Sequence, residues 1–112
     1  MTMNEPRAER EHPALAALLR QLAGRPEIHR VILFGSRARG DAEPRADIDL
    51  AVEAPDATRR EWLDIVELAD DARTLLTIDL ARLDEASEPF HARILAEGEV
   101  LYDRSQDAAG PR

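Results

Sequence analysis

Two aspartates, Asp47 and Asp49, stand two positions apart in the run Asp47-Ile48-Asp49-Leu50-Ala51-Val52-Glu53, where acidic or small residues alternate with branched apolar ones. On a strand, such positions project from one face with Cα atoms about 6.5–7 Å apart, so two carboxylates share one small volume. Like charges at that spacing repel, and ionising both is unfavourable unless a cation joins them. Magnesium suits the role: it is a hard cation that takes carboxylate and phosphate oxygens and fills its shell with water. Asp79, flanked by Ile78 and Leu80, repeats the pattern on a later segment. If that segment pairs with residues 47–53 at the usual spacing of about 4.8 Å, three carboxylates converge, as two-metal phosphoryl or nucleotidyl transfer requires. The competing readings are the solvated face of an edge strand for Asp47 and Asp49, and the exposed side of an alternating strand for Asp79.

Upstream, Gly35-Ser36 closes the apolar run Val31-Ile32-Leu33-Phe34. A glycine turn after a buried strand lets backbone N–H groups approach a phosphate, and a serine hydroxyl at the start of a helical turn adds a donor. Arg37 and Arg39 offer planar guanidinium donors to phosphate charge; their alternative partners are Asp41, Glu43 and other surface carboxylates. All 15 basic residues are arginine, so Schiff-base lysine chemistry and the Walker A phosphate loop are excluded. The absence of cysteine excludes a disulfide framework, a zinc ribbon and a thiol nucleophile. His12, His29 and His91 occur singly, without metal-ligand spacing.

These residues need a scaffold of modest size. The 112-residue length fits one domain, read as residues 12–104 between polar tails at 1–11 and 105–112. Leu15, Leu18, Leu19 and Leu22 follow Pro13 at helical spacing until Gly24 and Pro26 end the pattern. Residues 28–34 read as a buried strand, 36–39 as a short helical turn, and 47–53 as a second strand. Thr58 and Glu61 form a capping box for a helix running to about Arg73, with Trp62 beneath the sheet. Residues 75–83 return to alternation. Ser87 caps a last helix with Pro89 in its first turn, Phe90, Ile94 and Leu95 facing inward, and Gly98 as its stop. Residues 100–102 make a closing strand. This order predicts an α/β domain, a mixed β-sheet with helices packed against it.

The spacing of Gly35-Ser36, ten further residues, then Asp47-Ile48-Asp49 resembles the signature of the polymerase-beta-like nucleotidyltransferase superfamily. Phe34-Gly35-Ser36-Arg37-Ala38-Arg39-Gly40 is similar to its minimal nucleotidyltransferase branch, and the resemblance extends from Ile28 to Tyr102. It implies the polymerase-beta-like nucleotidyltransferase fold, with Asp47 and Asp49 holding two magnesium ions. Asp79 would complete the metal site and help deprotonate an acceptor hydroxyl, while Gly35-Ser36 would hold the triphosphate of ATP. Members of this branch act as antitoxins that transfer AMP from ATP to a tyrosine of a small helical HEPN toxin, a ribonuclease. Ala46 departs from the family, which commonly has serine there; that position is not a metal ligand.

A formal charge of -8 argues against direct nucleic-acid binding and against anionic membrane surfaces. The polar N-terminus lacks a signal-peptide core, and no apolar run approaches the roughly 18–20 residues of a membrane span. A cytoplasmic protein is the expectation. Two other functions compete: an antitoxin that occludes its toxin without catalysis, and a nucleotidyltransferase acting on a small hydroxylated molecule. The second usually needs extra helical mass, which this chain lacks.

Overall fold

The computed structural model describes residues 13–35, 38, 47–72 and 78–105. Within them, helix α1 (Pro13–Ala23) leads into strand β1 (Arg30–Phe34), which is followed by β2 (Ile48–Glu53) and helix α2 (Arg59–Asp71). Strand β3 (Ile78–Arg82), a 3-10 turn at Leu83–Glu85, helix α3 (Glu88–Glu97) and strand β4 (Glu99–Asp103) complete the order. The four strands form one sheet in the order β3-β2-β1-β4. β1 runs antiparallel to β2 and to β4, whereas β2 and β3 are parallel, joined through α2. The mixed sheet expected from the alternation pattern is therefore present. The expected helical turn at 36–39 and the proposed tails lie almost wholly outside the described residues.

Alternation sends each strand's side chains to two different cores. Val31, Leu33, Ile48, Leu50, Val52 and Ile78 meet Leu15, Leu18, Leu19 and Leu22 of α1 and Ile65 and Ala69 of α2. On the opposite face, Ile32 and Ala51 form a smaller cluster with Leu83 and Ile94. Two helices thus pack on one face, whereas α3 covers only part of the other. The uncovered part of that second face carries the aspartates.

Local signals act as the residue types dictate. Thr58 accepts from the Glu61 N–H while the Glu61 carboxylate accepts from the Thr58 N–H, closing the capping box. Ser87 accepts from the Phe90 N–H, and Pro89 occupies the first turn of α3. One inward assignment needs correcting: Ile94 alone of the α3 triplet is fully buried, with Phe90 38% and Leu95 43% exposed. Leu95 lies a quarter-turn around the helix from Ile94, and Phe90 sits in the first turn, leaning on Phe34. Gly98 admits no side chain, since a Cβ there would meet the Ile32 side chain and the Ile94 carbonyl oxygen.

The far ends of β2 and β3 are fastened by one side chain. Arg82 donates from Nε to Asp84 at 2.9 Å and from Nη2 to the carbonyls of Ala54 and Ala57, each at 2.9 Å. Its guanidinium also lies 5.3 Å from the centroid of Trp62, which packs against the larger core as expected. Asp84 in turn accepts from the Ala54 N–H at 3.1 Å. With its side chain only 13% exposed, Arg82 is largely shielded from water. Replacing it leaves two carbonyls and a carboxylate short of a donor, so Arg82→Ala is expected to lower unfolding stability by about 2–3 kcal/mol in urea titration. A loss below about 0.5 kcal/mol would show the clamp to be dispensable.

Candidate active site

The parallel register decides where the carboxylates go. Asp49 is the direct partner of Asp79, and across the other edge of β2 it is the partner of Phe34. Paired residues in adjacent strands point to the same face, so Asp79, Asp49 and Phe34 form one row across three strands. Neighbouring members are separated by about one strand spacing, roughly 4.8 Å. Asp47 lies one step before β2 and on the same side by alternation. The pairing on which three-carboxylate convergence depended is therefore present.

Electrostatics single out Asp49. Asp47 and Asp79 are exposed, whereas Asp49 is partly covered. Burial first, then the charge of Asp79, then that of Asp47, push the Asp49 carboxyl above the usual carboxylate range. Gly35 explains the crowding on the other side. It turns the chain at φ 79°, in the left-handed region, and a Cβ there would lie 2.5 Å from the Asp49 Oδ2. Glycine suits that backbone, and its missing side chain lets the Asp49 carboxylate pack close against the turn. The N–H of Ala38 donates back to the Gly35 carbonyl at 3.1 Å, tightening the turn that follows. Ser36, Arg37 and Arg39, expected at the phosphate, lie outside the described residues.

The donor set suits a hard divalent cation: carboxylates, of which those of Asp47 and Asp79 are exposed, with neither thiol nor imidazole among them. Among the described residues, no three His, Asp or Glu side chains are gathered so as to hold a metal ion by themselves. The paired carboxylates of Asp47 and Asp49 fit magnesium, which keeps several waters and is commonly bound by one or two carboxylates plus substrate phosphates.

Cavities lined by described residues lie at two places on the sheet, one larger and one smaller. The larger, about 460 Å³, is lined by His29, Arg30, Glu53, Asp103, Arg104 and Ser105 at the end of β1 remote from Gly35. Its charges serve each other: Arg30 Nε donates to Glu53 at 2.7 Å, which also raises the Arg30 pKa. Glu53, which ends the aspartate face of β2, is thereby held at the far end of the strand and away from Asp49. The smaller cavity, about 200 Å³, is lined by Phe34, Gly35, Phe90, Arg93, Ile94 and Glu97 and borders the carboxylate row directly. Sequence reasoning missed this aromatic wall. Phe34 precedes the glycine turn and offered a signal; Phe90 offered none, because only the fold of α3 brings it there.

The family model described as "Polymerase beta, Nucleotidyltransferase" matches residues 17–107, from α1 past β4. The chain belongs to the polymerase beta nucleotidyltransferase family. Solved structures agree with the narrower resemblance to minimal nucleotidyltransferase antitoxins. A chain in a crystal structure of a toxin–antitoxin with AMP-PNP is 28% identical, with a TM-score of 0.62, 85% of this chain covered and 75% of that one. The toxin–antitoxin MntA-HepT gives 27% identity and a TM-score of 0.57, covering 85% and 72%. A complex of tri-AMPylated Shewanella oneidensis HEPN toxin with MNT antitoxin gives 26% and 0.55, covering 86% and 72%. No curated protein matches the chain. As a nucleotidyltransferase-family domain, it has no helix among the described residues long and apolar enough to cross a membrane.

Two measurements probe this geometry without substrate. The raised Asp49 pKa means that its ionised form is less favourable in the folded protein than in the unfolded chain. This penalty is absent below the unfolded carboxylate pKa and sets in as pH rises through the folded value. Asp49→Asn is therefore expected to raise the melting temperature of metal-free protein at neutral pH, with the gain vanishing in acid. A lowered melting temperature at neutral pH would show that the carboxylate is favourably paired instead. Gly35→Ala is expected to cost about 1–2 kcal/mol for the left-handed backbone, read as a lower urea midpoint, besides crowding Asp49.

Proposed function

We propose that this domain is a magnesium-dependent adenylyltransferase that moves AMP from ATP to a hydroxyl on a protein partner. The observation carrying the proposal is the paired register of Asp49 and Asp79, with the Gly35 turn close against Asp49. Asp47 and Asp49 would hold magnesium, whose chemistry is to neutralise phosphate charge and align the reacting oxygens for in-line displacement. Gly35 and Ser36 would hold the triphosphate, with Arg37 and Arg39 meeting its charge. The acceptor oxygen attacks the α-phosphorus and an O–P bond forms. The bond from that phosphorus to the bridging oxygen breaks, and pyrophosphate leaves with the electron pair. Asp79 is exposed at the outer end of the row, where it would receive the acceptor's proton.

The partner reading follows the relatives. Neighbours in toxin–antitoxin complexes, one with AMP-PNP and one with an AMPylated HEPN toxin, support an antitoxin role; the acceptor would be a tyrosine of a HEPN-type toxin, as the family resemblance implies. Among the described residues, two helices are committed to one core and the third to the other, so none of these three is left over to form a dedicated acceptor pocket. A separate protein would then bring its own hydroxyl to the row.

The test is transfer of label from α-labelled ATP to a HEPN-type toxin, with magnesium. Asp47→Asn combined with Asp49→Asn is expected to reduce transfer by at least about 100-fold, the scale of several kcal/mol of metal-dependent stabilisation. Label transfer that survives the double substitution would contradict the assignment. Toxin inhibition that survives it while transfer is lost would favour occlusion.

A further inference from the structure

The carboxylate row ends in an aromatic corner. Asp49 is flanked by Asp79 on β3 and by Phe34 on β1, so the two sides of the reacting centre differ in kind. On the β3 side stands a carboxylate suited to an acceptor proton. On the β1 side, Phe34 meets Phe90 of α3 with ring centroids 5.7 Å apart and planes at 79°. At that angle the rings form a corner rather than a slot, and a planar group can lie against one ring while abutting the other. Ile94 is the apolar floor of the adjoining cavity of about 200 Å³, and Gly35 stands at its border with Asp49. Cavities that enclose whole small molecules run from about 300 Å³. This one suits a single ring system attached to something that continues toward Asp49.

Resting on the nucleotidyl-transfer reading above, we propose that the Phe34–Phe90 corner seats the adenine base of the nucleotide donor, with the ribose bridging to the α-phosphate at Asp49. The rim supplies the edge chemistry. Arg93 and Glu97, one turn apart on α3, approach to 3.7 Å and line the same cavity. They set a cationic donor beside an anionic acceptor. Adenine presents a complementary pair on one edge, the N7 acceptor beside the N6 amino donor, whereas guanine presents two acceptors there, N7 and O6. Glu97 would therefore accept from adenine N6 and repel guanine O6. Placing the base on the β1 side leaves the β3 side, and Asp79, to the acceptor.

Binding of two probes separates this inference from the reading on which it rests. Inorganic tripolyphosphate with magnesium engages only the phosphate and metal half; ATP with magnesium engages the aromatic corner as well. Because Phe90 is partly exposed on α3, Phe90→Ala is compatible with a folded chain, checked by circular dichroism, and Phe90→Trp retains an aromatic face. Phe90→Ala is expected to weaken ATP binding by about 5- to 150-fold, the range for loss of one base–aromatic stack. It should leave tripolyphosphate affinity unchanged, Phe90→Trp should restore ATP affinity, and wild type should prefer ATP to GTP. Unchanged ATP affinity in Phe90→Ala overturns the base seat while leaving nucleotidyl transfer standing. So does an effect confined to the KM for the acceptor protein, which would assign the corner to the acceptor. Equal affinity for ATP and GTP overturns the adenine assignment. If wild type binds neither ATP nor tripolyphosphate, the base seat and the transfer reading fall together.

Discussion

The parallel pairing of β2 with β3 is the constraint on which the rest depends. A strand's side chains alternate, so a slip of one residue would turn Asp79 into the core and bring Ile78 or Leu80 to the open face. Both ends of the pairing oppose such a slip. Ile78 is buried with Ile48 and Leu50 beneath the site, and at the other end Arg82 grips the Ala54 and Ala57 carbonyls. Apolar burial thus sets which face Asp49 and Asp79 occupy, and the largely shielded Arg82 guanidinium sets how far along they stand.

With the register held, the site has a built-in tension. Asp49 is partly covered and flanked by two like charges, an arrangement that works against the metal-free fold. Gly35 takes a left-handed backbone at φ 79° that a residue with a side chain would adopt only with strain, and it lets the Asp49 carboxylate close in on the turn. Neither feature improves packing, and the core of α1 and α2 on the opposite face needs neither of them. Conflict with local stability, concentrated at one end of one sheet face, is the pattern of a functional site held in place by the rest of the fold. A cation and phosphate oxygens would relieve the charge that the sheet imposes.

Much of this was readable in the chain. Alternation in residues 47–53 and around Asp79 identified the strands and the face their carboxylates share, because the period of two is a property of the backbone itself. The capping residues Thr58 and Ser87 marked helix starts by local hydrogen bonding, which needs no knowledge of the fold. What stayed illegible depends on tertiary placement. Phe90 and Leu95 looked like core residues, but α3 spans only part of its sheet face, so burial reaches Ile94 and leaves both partly exposed. The aromatic corner was hidden for the same reason: Phe34 and Phe90 lie 56 positions apart in the sequence, and only β1 and α3 in the folded chain join them. Glu53 shares a strand face with Asp49, yet Arg30 on the neighbouring strand claims it.

The central claim is the proposed cation site, which Asp47 and Asp49 would hold with Asp79 beside Asp49 in the row, facing the Gly35 turn. Its most direct test is anomalous diffraction from crystals grown with manganese in place of magnesium and a non-hydrolysable ATP analogue. The account predicts an anomalous peak at coordination distance from the carboxylates of Asp47 and Asp49, beside Gly35, with the α-phosphate against it. Manganese bound elsewhere on the chain, with nucleotide present and the Asp49–Asp79 row empty, would contradict it.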